Sequence, residues 1–417
     1  MRLIYLDYNS TTPLAGAARE AMLPFLYEFF GSPNSTHWTG AAVAEAIEDA
    51  RTAVASLLNC EAHEVIFTSG GTESINLALR SGFNQLARLG EPPQVLLTTW
   101  EYTATHRLCG EMHSRRMPVK VLLCEGRGRW RPQQIADAVG DRPTLLSLTL
   151  ADGDTGVVQP LVDLVQLLRR SGQREHCLLH IDACQAVGKI DVDCEALDAD
   201  LLSVSGHKMY AAKGVGALVV RNSSVTAPQM VGDWFERGLR NGMPNVAGII
   251  GMGAAAKLVS RSVPKFAERC RRLLTLFDDS LRQCCGTSFV DGSLAPGQLP
   301  NTALLSLPEA SASDVLQRAA ELCVKSFAAD AGGAESLPRD SRPGARAGAD
   351  AVVPDDASAW QSIDAVDERA FDPLRNLGWE ARRESAMRVS FGWNTTETEV
   401  VAAAESIGEA YLQRARN

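Results

Sequence analysis

The sequence predicts an α/β protein with a large layered domain around a mainly parallel sheet and a smaller α+β domain after it. Three observations predict this. Over roughly the first 250 residues, short apolar runs alternate with stretches that carry apolar residues at helical spacing, the pattern of a parallel sheet covered by helices. Two of those runs end in residues that carry chemistry, Asp182 and Lys208. Beyond about residue 250 the alternation stops, and a chain of 417 residues is too long for one simple core.

In chain order, the candidate strands are residues 65–67, 95–97, 119–123, 145–148, 178–181, 201–204 and 216–220, which predicts a seven-stranded sheet. Residues 41–58 and 161–170 have helical periodicity, and another helix is expected to open near Gly71 and run to about Asn84. Later come one long helical stretch (251–285), a strand (302–307), a helix from Ala312 and a strand near 387–391. The expected large domain is 16–250, with 1–15 and 251–417 forming the small one. Within the latter, 334–368 is rich in Pro, Asp, Ala, Arg and Gly, a composition expected to form a mobile insertion. There are no internal repeats.

Composition narrows the function classes. Hydrophobic residues make up 45% and charged residues 22%, as in ordinary soluble domains. The net charge of −9 has no basic counterpart, so neither nucleic acid nor an anionic membrane surface is expected as a partner. No apolar run reaches the ~18 residues of a membrane span. The first residues enter a strand-like run at once, so a cytoplasmic protein without a leader is expected. The ten cysteines are scattered, with no C-x-x-C pair, and are expected to be mostly small buried hydrophobes rather than a zinc site or a disulfide framework.

An acid closing one buried strand and a lysine closing another meet at one edge of a parallel sheet, where such folds bind ligands. Asp182 and Lys208 are so placed, and the pair suits pyridoxal 5'-phosphate (PLP): a lysine bonds its aldehyde and an aspartate pairs with its pyridine nitrogen. Gly70-Gly71-Thr72 follows a strand and opens a helix, which provides backbone N–H groups and a hydroxyl for a phosphate. Gln185 is placed to reach the ring hydroxyl, and Ser205 and His207 to reach the phosphate. His180 is expected to be an ordinary packed histidine.

Motifs run along nearly the whole chain: "YLDYNSTTPL", "GSPNSTH", "VIFTSGGTESINLAL", "HIDACQAVGKIDVD", "LLSVSGHKMYAAKGVGALVVR", "ERGLRNGMPNV", "PNTALLSL" and "RVSFGWNTTETEV". With these the chain resembles the cysteine desulfurases and selenocysteine lyases, class V aminotransferases of PLP fold type I. The resemblance implies a homodimer with sites at the subunit interface, an amino-acid substrate such as cysteine or selenocysteine, and a sulfur- or selenium-accepting protein. It also implies that Lys208 anchors PLP, Asp182 binds the pyridine nitrogen and Gln185 the ring oxygen. Gly71, Thr72, Ser205 and His207 would hold the phosphate, and Arg388 would bind the substrate carboxylate, which suits a guanidinium fork.

Several positions depart from the family. Ala331 stands where its mobile loop carries the cysteine that accepts sulfur, and an alanine cannot be a nucleophile. Cys323 lies eight residues earlier, in what reads as an apolar helical run, and is expected to be structural. Tyr102 replaces a histidine that stacks on the cofactor ring; it can still stack, but a phenol is a far poorer base than an imidazole. His106, one turn on, is expected at the surface. Gly153 replaces an asparagine near the cofactor, and Met243 a threonine offered to the partner subunit's phosphate. Cys184 is expected to lie out of reach on a strand end. The expectation is therefore a PLP enzyme that cleaves C–S or C–Se bonds without the loop persulfide. The alternatives are other PLP chemistry, namely β-elimination, transamination or epimerisation, and a non-catalytic scaffold.

Overall fold

The computed structural model describes residues 3–88, 93–124, 128–221, 228–291, 296–319, 321–326, 360–362 and 380–414. The chain enters through a short strand, β1 (Ile4–Tyr5), and three helices, α1 (Gly16–Met22), α2 (Pro24–Tyr27) and α3 (Trp38–Leu58). All seven expected runs then form strands: β2 (Val65–Thr68), β3 (Gln94–Thr98), β4 (Val119–Leu122), β5 (Thr144–Thr149), β6 (Cys177–Asp182), β7 (Leu201–Ser205) and β8 (Gly216–Val220). Between them run α4 (Gly71–Ala87), α5 (Thr103–Ser114), α6 (Pro132–Val139) and α7 (Leu161–Arg170).

These strands form one sheet in the order β4-β3-β5-β6-β7-β8-β2, parallel from β4 through β7. Only β8 runs against both of its neighbours. The strands read as continuous apolar runs because both faces are covered. Alternate residues feed opposite cores: Leu146, Leu179 and Leu202 pack with α3 and α7, whereas Leu145, Leu178 and Leu201 pack with α4 and α5. Truncating a wholly buried one such as Leu146 to alanine costs about 2–5 kcal/mol.

The expected long helix is in fact two, α8 (Val246–Ser260) and α9 (Val263–Cys285), bent by 71° at the break. Pro264 sits in the first turn of α9; it lacks an N–H and its ring collides with the carbonyl one turn back, so the first helix must stop. The remaining elements are β9 (Val290–Asp291), β10 (Thr302–Ser306), α10 (Ala312–Arg318), β11 (Leu322–Cys323), β12 (Lys325–Ser326), β13 (Trp360–Ser362), β14 (Ala386–Ser390) and α11 (Glu397–Arg414). An antiparallel sheet, β12-β14-β10-β9, packs Leu305, Met387 and Val389 against Phe277 of α9 and Ile407 of α11. Ile4 and Leu6 join this second core, and β1 pairs in parallel with β11.

Two expectations need correction. Cys323 lies on β11, not on a helix. Within the stretch expected to be a mobile insertion, Trp360–Ser362 form an eighth strand that pairs antiparallel with β4, closing an otherwise open sheet edge. The rest of 334–368 lies outside the described residues. Among the described residues no single helix is long and apolar enough to cross a membrane.

Candidate active site

The carboxyl ends of β5, β6 and β7 open on one cavity of about 270 Å³. At its floor, the link from β2 to α4 is pinned by Ser74, whose hydroxyl meets Thr68 Oγ1 at 2.8 Å and donates to the Ala217 carbonyl of β8 at 3.1 Å. Gly71 opens the helix there. A Cβ on it would sit 2.6 Å from Cys184 Sγ, so a larger residue would have to push that sulfur aside. The first N–H groups of α4 lack helical carbonyl partners and face this floor with Thr72.

Asp182 ends β6, buried, and accepts a hydrogen bond from the Cys184 N–H at 2.9 Å. On the neighbouring strand β7 ends at Ser205, and a single 3-10 turn, Gly206–Lys208, turns Lys208 into the cavity. Lys208 is 8% exposed, and among the described residues it makes no hydrogen bond or ion pair. Its Nζ lies 5.0 Å from the ring centre of Tyr102, which precedes α5 and is half exposed at the mouth. His207 Nδ1 lies 3.1 Å from Thr11 Oγ1. Burial, then the charges of Lys208, Lys213 and Lys189, pushes its pKa down to about 4, so the ring is neutral. Behind this wall Glu101 accepts from Thr98 Oγ1 at 2.7 Å and Thr149 Oγ1 at 2.8 Å. Burial outweighs those bonds and, with Asp182 adding to it, pushes the carboxyl up to about 8.

The opposite wall is tied up in its own bonds. Gln185 Nε2 donates to the Asn9 carbonyl at 3.1 Å, and its Oε1 accepts from Lys189 Nζ at 2.6 Å. Burial, then the charges of Lys208 and Arg388, lowers the Lys189 pKa well below the ordinary lysine range. Gly153 makes this pose possible, since a Cβ there would lie 2.2 Å from Gln185 Nε2. Arg388, on β14 opposite Lys325 of β12, is buried. Its Nη1 donates to the Gly153 carbonyl at 3.1 Å and to Asp154 Oδ1 at 2.6 Å; its Nη2 donates to Asp7 and, at 2.9 Å, to Ser10 Oγ.

Nine residues singled out in the sequence thus line one cavity: Gly71, Thr72, Tyr102, Asp182, Gln185, Ser205, His207, Lys208 and Arg388. Ala331 lies outside the described residues. His180 is packed as expected, between Ser147 Oγ at 2.9 Å and Ser203 Oγ at 2.8 Å. Two expectations fail. His106 is buried, not at the surface, and burial lowers its pKa to about 3. Cys184 does reach the cavity wall, although burial, reinforced by Asp182, pushes its thiol well above 9.0. Met243 is 59% exposed. Asp7, Asn9, Asp154, Lys189 and Lys325 escaped the sequence reading. The first two lie within the quoted motif "YLDYNSTTPL", Lys189 within "HIDACQAVGKIDVD" and Asp154 beside Gly153, so the signal was at hand for those four.

The family profile Aminotransferase class-V matches residues 4–326. A cysteine desulfurase of Gluconacetobacter diazotrophicus is 37% identical over 305 residues, covering 73% of this chain and 74% of that protein. This chain belongs to the class V aminotransferases, in their cysteine desulfurase family. A second family member, the cysteine desulfurase IscS of Dictyoglomus turgidum, is 34% identical over 315 residues, covering 76% of this chain and 78% of its own. Among solved structures, a NifS-like protein superposes with a TM-score of 0.82 at 26% identity, covering 98% of this chain and 99% of that one. Class V aminotransferases are PLP-dependent enzymes, and the mainly parallel sheet of this cysteine desulfurase relative is the fold they share.

Proposed function

We propose that the chain is a PLP-dependent enzyme that cleaves the C–S or C–Se bond of cysteine or selenocysteine and delivers the chalcogen to solution rather than to a loop thiol. The observation that carries this reading is the convergence of nine residues, chosen from strand ends and motifs, on one cavity. The residues fit PLP. Gly71 leaves a cradle that a Cβ would fill, at a helix start whose N–H groups suit a phosphate. Lys208 offers a buried amine without a polar partner among the described residues, under an aromatic ring.

In this reading, Thr72, Ser205 and the neutral His207 bind the phosphate with the Gly71 backbone, Asp182 holds the proton on the pyridine nitrogen, and Tyr102 covers the ring face. When bound, PLP draws electrons from the substrate Cα and so weakens the bonds around it. Lys208 Nζ would move the proton of that carbon. Gln185, held by Asn9 and Lys189, would meet the ring hydroxyl. Arg388 orients the substrate through its α-carboxylate.

With Ala331 at the loop position no thiol takes the sulfur. Cysteine and water then go to pyruvate, ammonia and sulfide, and a C–S cleavage that leaves alanine needs an added thiol to carry the sulfur away. The test is to incubate the PLP-loaded chain and Ala331→Cys with cysteine and with selenocysteine. Sulfide, selenide, pyruvate and alanine are quantified, and adducts are mapped by mass spectrometry. The expected result is free sulfide or selenide and no sulfur adduct on the parent chain. A persulfide on Cys184 or Cys323 would overturn the reading.

We also propose a homodimer. Leu26, Tyr27, Phe30 and Trp38 are strongly exposed, as are Val231 and Trp234, and Asn34 Nδ2 joins the two stretches by donating to the Trp234 carbonyl at 2.9 Å. Such a patch favours a protein partner over water. Sedimentation of a dimer at micromolar concentration is the expected result, and a monomer contradicts it.

A further inference from the structure

Arg388 has little left to offer a substrate in the free chain. Both terminal nitrogens are committed twice, to Gly153 and Asp154 and to Asp7 and Ser10. The remaining donor, Nε, is buried without a partner among the described residues and out of solvent's reach, so a ligand cannot use it without rearrangement. An incoming carboxylate must therefore replace one of the present acceptors.

The two aspartates are not equivalent. Asp7 is paired with Arg388 alone among the described residues. Asp154 has a second cation, because Lys325 Nζ lies 3.0 Å from its Oδ1 and 3.2 Å from its Oδ2. Giving up Arg388 leaves Asp7 without a countercharge but leaves Asp154 with one. Both Asp154 and Lys325 line the cavity, and their side chains keep 22% and 26% exposure, so there is room for the exchange.

We propose that Asp154 sets the affinity of this site for the substrate α-carboxylate: it occupies Arg388 Nη1 in the free chain, yields it to the substrate, and stays on Lys325. This rests on the reading of Arg388 as the carboxylate partner. The role of Lys325 is to keep the displaced Asp154 paired, not to touch the substrate. The pair acts as an exchange device, and its strength filters ligands by whether they bring a carboxylate.

Calorimetric titration of the PLP-loaded protein with L-alanine, and with ethylamine, which lacks the carboxylate, tests this. Close charge pairs couple strongly enough that Asp154→Asn is expected to tighten L-alanine binding about tenfold while leaving ethylamine unchanged. Asp154→Ser, also uncharged, carries the same expectation should the asparagine disturb the turn. Lys325→Gln is expected to weaken L-alanine about tenfold in the parent chain but less than about twofold beside Asp154→Asn, since the two effects share one cause. An equal Lys325→Gln penalty in both backgrounds, or no tightening from Asp154→Asn, overturns the exchange. Arg388→Gln tests the underlying reading separately. Unchanged L-alanine affinity there removes Arg388 from the carboxylate site, whereas a loss upholds it whatever the Asp154 variants do.

Discussion

The wall built from β6, β7 and the start of α4 leaves its lysine open, whereas the wall built from β14, β12 and the turn at 152–156 saturates its arginine. Lys208 on the first wall has no polar partner among the described residues, while Arg388 on the second has four. The difference follows from construction. One sheet and one helix set the first wall, so its groups are fixed by backbone register alone. The second joins segments far apart in the chain, and their unlike charges close on each other when those segments come together. An open wall receives its ligand as built. A closed one trades partners, and the free energy of the broken contacts is subtracted from binding.

Four substitutions test that contrast, in descending order of expected effect. Lys208→Ala removes the proposed anchor and proton carrier of the open wall, and turnover should fall by at least about 10²–10⁴-fold. Retained activity would mean that another amine serves. Gly153→Asn restores the family's residue but drives a Cβ into Gln185, so it should cost about 1–3 kcal/mol of stability. Adding Gln185→Ala should recover much of that loss, and an unchanged melting temperature for Gly153→Asn would show that the closed wall yields easily. Gly71→Ala meets Cys184 Sγ at the longer 2.6 Å and should cost somewhat less. Cys184→Ala in the same chain should relieve it; failure of that rescue would place the constraint elsewhere. The smallest effect concerns pH. The native pKa of His207 lies near 4, below its ordinary 6.5, so its contribution to stability is present above pH 6.5 and is lost as pH falls toward 4. His207→Gln should flatten that part of the curve, and parallel curves for the two proteins would contradict the assigned neutral ring.

How much was legible in the sequence follows the same division. Strands buried on both faces announce themselves as apolar runs, and residues at their ends inherit a position from the sheet, which is why Asp182, Ser205 and Lys208 could be placed together. Gln185 and Arg388 were placed by family motif, and their partners were not. Nothing local in the chain tells that Lys325 lies beside Asp154, 171 residues away, or that Arg388 lies beside Asp7. His106 looks like a surface group by polarity alone, yet the packing of α5 buries it. β11 is two residues long, too short for any period to show, so Cys323 reads as helical. The break before α9 was readable from Pro264, but the apolar spacing continued through it.

The most direct test is to identify the lysine that bonds PLP. The chain holds a rival, because Lys189 is also buried and its pKa is lowered toward a free, reactive amine, but it stands behind Gln185 rather than on the cavity wall. Borohydride reduction of the PLP-loaded protein followed by peptide mapping separates the two. The open wall predicts the phosphopyridoxyl label on Lys208 and its loss in Lys208→Ala. A label on Lys189, or no label in a protein that binds PLP, would contradict the account.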